Sequence, residues 1–112
     1  MFNEKYSHER KFTYDSSKND FIDLVDFINN TGKKEFVVRA MFTYEGKYGT
    51  RPCIVTDGYN VTVPNHITED VKSIMANEAE VAAVNAGKCG FRVRHYIDNN
   101  GVDRLSGSFF DI

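Results

Sequence analysis

A chain of 112 residues falls within the size of a single domain and is long enough to bury one core. Its 41% hydrophobic and 27% charged residues are ordinary for a soluble globular protein, and no stretch approaches the roughly 18 apolar residues that a membrane span needs. The formal charge of −2 excludes a uniformly basic surface, although the charge is unevenly spread. Glu69, Asp70, Glu78 and Glu80 face Lys72 alone between residues 66 and 86, a balance of −3 that leaves +1 for the remainder. Nine Phe and six Tyr with no Trp are more than a small core hides easily, so some Tyr rings are expected at the surface. Cys53 and Cys89 lie in apolar surroundings without a CxxC spacing and read as buried free thiols in a reducing compartment. With no apolar segment in the first residues to act as a leader, a cytoplasmic protein is expected.

Residues 1–10 are polar and mixed in charge, and are expected to be flexible. Residues 11–32 read as an N-terminal extension, with a short strand over Lys11–Tyr14 and then a turn through Asp15–Asp20 rich in N-cap side chains. Phe21, Leu24, Val25 and Ile28 follow at helical spacing, and Gly32 suits a left-handed helix stop. Period-two alternation predicts a first strand of the main body over residues 35–44 and a second over 52–56. The Asp57-Gly58 turn leads to a third strand over 59–63, which Pro64 ends. Residues 66–86 read as a helix broken near Asn77, with Ile67, Val71, Ile74 and Met75 as a first stripe and Val81 and Val84 as a second. Gly87 stops it. A fourth strand over 91–97, a tight turn at Asp98-Asn99-Asn100-Gly101 and a fifth strand over 102–112 complete the chain, with Gly107 a candidate bulge or bend.

Three strands, a helix and two strands is the order of the five-stranded OB-like Greek-key barrel, so a mainly β, α+β single domain is expected. The chain resembles small OB-fold proteins of the single-stranded DNA-binding kind, as carried by phages and other mobile elements of Gram-positive bacteria. The residues behind the resemblance are Tyr44-Glu45-Gly46-Lys47-Tyr48-Gly49, Val61-Thr62-Val63-Pro64 and Gly90-Phe91-Arg92-Val93. It spans about two thirds of the chain, from Phe36 to Ile112, and leaves out the strand and helix of the extension. Its implication is a groove that holds single-stranded DNA.

The residues themselves offer a matching surface. Arg92, Arg94 and Tyr96 alternate against Phe91 and Val93; guanidinium groups engage phosphate in a fork and a phenol ring offers a stacking platform. Lys47, Tyr48 and Arg51 cluster in a glycine-flanked loop, and Arg39 and Arg104 extend the candidate nucleic-acid-binding set. The plain alternative is a solvated face whose arginines pair with nearby carboxylates. His8, His66 and His95 are scattered, and no nucleophile, phosphate-loop or metal-ligand spacing appears, so neither catalysis, nor a cofactor, nor a metal is expected. The expected function is binding of single-stranded DNA in phage or mobile-element replication or recombination. The net negative charge, the acidic central helix and the N-terminal extension motivate a second expectation, a small module that binds a host or replication protein. An exposed strand edge or the first helix offers a route to a homo-oligomer.

Overall fold

The computed structural model describes residues 12–47 and 49–112. These fold as a mainly β, α+β protein with two sheets and three helices. The strands are β1 (Asp20–Asp23), β2 (Glu35–Val37), β3 (Ala40–Gly46), β4 (Gly49–Thr56), β5 (Tyr59–Thr62), β6 (Cys89–Ile97) and β7 (Asp103–Asp111). The helices are α1 (Leu24–Thr31), α2 (Thr68–Met75) and α3 (Glu78–Asn85), with a 3-10 turn at Asn65–Ile67 before α2. One sheet has the order β1-β5-β4-β3 and the other β2-β6-β7.

One run of chain serves both sheets. The strand predicted over 35–44 is divided between β2 and β3. Val38 donates its N–H to the Cys89 carbonyl at 2.9 Å, and the next residue, Arg39, donates to the Val55 carbonyl at 2.8 Å. Successive N–H groups of an extended chain point to opposite sides, so a bend between them lets adjacent residues bond to different sheets. On the far side the sheets are not joined. The outer edge of β5 is taken by β1, which runs parallel to it with Phe21 opposite Asn60. The outer edge of β7 carries no strand among the described residues, and no closed barrel is found.

Alternation selects the core. Ile22, Val61, Ile54 and Met41 lie side by side across the four-stranded sheet. They meet Phe36, Phe91 and Val93 of the other sheet, and Leu24, Phe27, Ile67, Val71, Ile74 and Val84 of the helical segments. Each such side chain contributes roughly 1.5–3 kcal/mol when fully buried. The break near Asn77 is present, with the Asn77 side chain accepting the Glu80 N–H at 3.0 Å. Gly32 ends α1 at φ 69°, donating its N–H to the Ile28 carbonyl.

The N-terminal extension departs from its sequence reading. Residues 12–14 form no strand, and Lys11 and the segment 1–10 lie outside the described residues. The strand is β1 instead, where the Asp20 N–H reaches the Gly58 carbonyl at 3.2 Å. Phe21 therefore belongs to a strand and not to the helical stripe, and it sits on the opposite sheet face from Ile22. Residues 12–19 are tied to the body: the Thr13 N–H donates to Asn85 Oδ1 at 2.9 Å, and Asn19 Nδ2 donates to the Thr56 carbonyl at 2.9 Å. No bulge occurs at Gly107, since the β6–β7 register runs unbroken from Cys89↔Asp111 to Ile97↔Asp103.

The outer face of the four-stranded sheet is covered as well. Cys53 and Val55 are fully buried there, and Asn60 and Thr62 nearly so. The Phe21 ring reaches across them to lie 6.2 Å from Phe42 and 6.3 Å from Tyr44, both edge-on. The Tyr44 hydroxyl and Thr62 Oγ1 are hydrogen-bonded at 3.1 Å.

Candidate nucleic-acid interface

The β6–β7 hairpin carries most of the candidate residues. Arg92, Arg94 and Tyr96 of β6 stand directly opposite Ser108, Ser106 and Arg104 of β7, so all six side chains share the outer face. Phe91 and Val93 point the other way into the core. From Arg94 onward β6 is exposed on both faces. Asp98 holds that end together. Its carboxylate accepts the Asn100 N–H at 2.9 Å, the Val102 N–H at 3.0 Å and Arg104 Nε at 2.8 Å. The Arg104 hydrogen bond, followed by that of Val102, holds the Asp98 carboxyl below its ordinary range, and the pairing raises Arg104 in turn.

The candidates differ in how they are engaged. Arg92 Nη2 lies 3.1 Å from Glu35 Oε1, its in-register neighbour on β2. The Arg92 guanidinium also sits 4.6 Å from the centre of the Phe110 ring. Arg104 is bound to Asp98. Arg39 is clamped to both oxygens of Asp57, at 3.2 and 3.3 Å, and fixes the sheet junction onto the β4–β5 turn. Arg94 and Tyr96 are exposed, and Arg94 makes no hydrogen bond or ion pair among the described residues. Lys47 is exposed in the β3–β4 turn, while Tyr48 lies outside the described residues.

Arg51 faces residues of both sheets across a cleft. It lies on β4 opposite Tyr44 and lines this cleft, of about 590 Å³, at the open side of the molecule. Thr62, Val25 and His66 line the same cleft, as do Tyr96 and Arg104 from the hairpin. Arg51 Nε is buried with no hydrogen-bond partner among the described residues. His66 Nε2 and Ser106 Oγ are 2.7 Å apart, a polar link from the end of β5 to β7. Asp23, Asp26 and Asp103 also line the cleft, so its two arginines face three carboxylates and the field within it is mixed.

Of the eight candidates, three meet at the cleft: Arg51, Tyr96 and Arg104. Arg92 and Arg94 continue along the hairpin face, and Arg39 joins neither group. Sequence reasoning missed Phe21, which the helical spacing hid, and read His66 only as one of three scattered histidines. Cys53 and Cys89 are free thiols, raised by burial to about 12 and about 11 respectively, and neither is nucleophilic near neutral pH. No cluster of three or more His, Cys, Asp or Glu side chains among the described residues is placed to hold a metal. No helix of the described residues is long and apolar enough to cross a membrane. Comparison with protein-family models, with curated proteins and with solved structures yields no match to this chain.

Proposed function

We propose that this chain binds single-stranded nucleic acid without catalysis, as an OB-like protein in replication or recombination of a phage or other mobile element, with DNA as the expected ligand. The observation that carries this reading is the convergence of Arg51, Tyr96 and Arg104 on one cleft from strands far apart in sequence, with Arg94 beside them on the hairpin. A strand shared by two sheets supports the OB-like reading. The ion pairs of Arg92 and Arg104 do not argue against it. The side chains of Arg92 and Glu35 are both about half exposed, and a pair of that kind contributes about 0–1 kcal/mol, so a phosphate can replace that carboxylate at small cost; Arg104 keeps its outward N–H groups for a ligand while Nε stays on Asp98. Stacking on Tyr96 adds roughly 1–3 kcal/mol per base.

Fluorescence anisotropy with a labelled oligonucleotide, across a salt series, tests this reading. Affinity should fall steeply as salt rises. The triple replacement of Arg51, Arg94 and Tyr96 by Ala should weaken binding at least about tenfold, whereas Arg39→Ala should change it little. No binding at low salt would refute the reading. A protein-binding module is the second reading, favoured by the exposure of Ile97 (65%) and Val102 (46%) at the hairpin end and of Val25 (54%) in the cleft. It requires a stoichiometric partner that survives nuclease treatment and is lost on replacing Ile97 and Val102 by Ser.

A further inference from the structure

The aromatic cover on the four-stranded sheet has no role in the hairpin site, and its geometry exceeds what a lid requires. Phe21 is 65% exposed, although its ring packs edge-on against both Phe42 and Tyr44. A ring serving only to shield Cys53 and Val55 would gain more by lying flat among its neighbours than by presenting itself to water. The three rings form one cluster, since Phe42 and Tyr44 are 6.3 Å apart. Tyr44 is the direct cross-strand neighbour of Arg51, so the cluster abuts the cleft wall at that cation.

We infer that Phe21, Phe42 and Tyr44 form a base-stacking platform, at which a single strand crossing the cleft at Arg51 lays its bases against the Phe21 ring. The inference rests on the nucleic-acid reading above and extends the site from the hairpin onto the other sheet. Planar, sequence-independent stacking suits the platform, because every base has a π-face and no hydrogen-bonding group projects from Phe21 to select among them. Arg51 is the cross-strand neighbour of the platform's Tyr44 and lines the same cleft as Tyr96, so a phosphate linking two stacked bases would meet there a cation that no carboxylate of the described residues has claimed. The platform depends on β1, which lies outside the five-strand order. This gives the extension a function in binding as well as in covering the sheet.

The chain has no Trp, so Phe21→Trp introduces a single indole reporter at the platform. Titration with oligothymidylate should quench that fluorescence saturably, and an abasic sugar-phosphate oligomer of equal length should not. Phe21→Ala should weaken oligothymidylate binding about five- to 150-fold while leaving the weaker binding of the abasic oligomer unchanged. An unquenched Trp and an unaffected Phe21→Ala variant, in a protein whose binding still falls with Arg94→Ala and Tyr96→Ala, would overturn the platform and leave the hairpin site standing. If the unmodified protein binds neither oligomer at low salt, both the platform and the nucleic-acid reading fall. Loss on Phe21→Ala of a bound protein but of no oligonucleotide would likewise overturn it in favour of a protein partner.

Discussion

Gly107 lies on the core side of β7 directly opposite Val93, and the ring of Phe91 rests across it. A Cβ at this position would collide with that ring and come within 2.7 Å of the Arg92 carbonyl oxygen. Phe91 is fully buried and the carbonyl belongs to the β6 ladder, so neither can yield easily. Gly90 has a different neighbour: a Cβ there would approach the Phe110 ring at 2.5 Å, on the outer face, where a half-buried side chain can swing into solvent. Gly107→Ala should therefore cost about 1–3 kcal/mol, and Gly90→Ala less. The second loss includes the roughly 0.5–1 kcal/mol of Arg92 resting on Phe110. Urea unfolding checks the order: the midpoint should fall further for Gly107→Ala, with the slope unchanged in both. An equal midpoint for wild type and Gly107→Ala would contradict the packing of Phe91 against β7. A glycine midway along a strand pattern suggests a bulge as readily as a ring contact, and only the register of the partner strand distinguishes them.

At the scale of elements, the hairpin end is held by hydrogen bonds rather than by burial. Ile97 and Val102 are exposed, so apolar packing contributes little there, and the Asp98 carboxylate organises the turn. Its pKa is held below the ordinary 3.8 chiefly by the Arg104 hydrogen bond and next by that of Val102. A depressed carboxyl contributes stability that is fully present above 3.8 and is lost as pH falls through the lower, folded value. The protection factors of the Asn100 and Val102 amides, each taken against the intrinsic exchange rate at the same pH, should accordingly fall on acidification below that range, before the core strands lose protection. Asp98→Asn keeps an acceptor oxygen for the two amides and should preserve part of their protection at neutral pH, whereas Asp98→Ala should abolish it. Arg104 would be released in both variants, so a binding defect common to both, with amide protection retained only in Asp98→Asn, separates the ion pair from the shape of the turn. Equal protection in wild type and Asp98→Ala would show that the turn is formed by its backbone alone.

Across the whole molecule, the order of elements was legible because each has a local cause. Asp57-Gly58, Gly87 and Asp98–Gly101 mark chain reversals or stops, and the stripe Ile67, Val71, Ile74 announces the helix. What depends on distant partners was not legible. The division between β2 and β3 follows from the Val38 and Arg39 N–H groups finding carbonyls in different sheets, and the Arg92–Glu35 pair exists only once β2 and β6 are in register. The same dependence places Cys53, from β4, beneath the Phe21 ring of β1, and this makes the thiol a reporter of the whole fold. Burial raises Cys53 to about 12 and half-burial raises Cys89 to about 11, so both stay protonated near neutral pH. The unfolded chain would ionise them near 9.0; their contribution to stability is thus complete below that value and declines as pH rises through it toward the folded values. Native alkylation with iodoacetamide at pH 8 should modify Cys89 slowly and Cys53 only at the rate of global opening, as followed by intact mass. Urea above the unfolding midpoint should equalise the two rates. Phe21→Ala should quicken Cys53 alone, because the outer cover is removed while the ladder of β4 persists. Rapid labelling of Cys53 in native buffer while Cys89 still reacts slowly would mean that the four-stranded sheet opens without the rest, and a single cooperative core would be untenable.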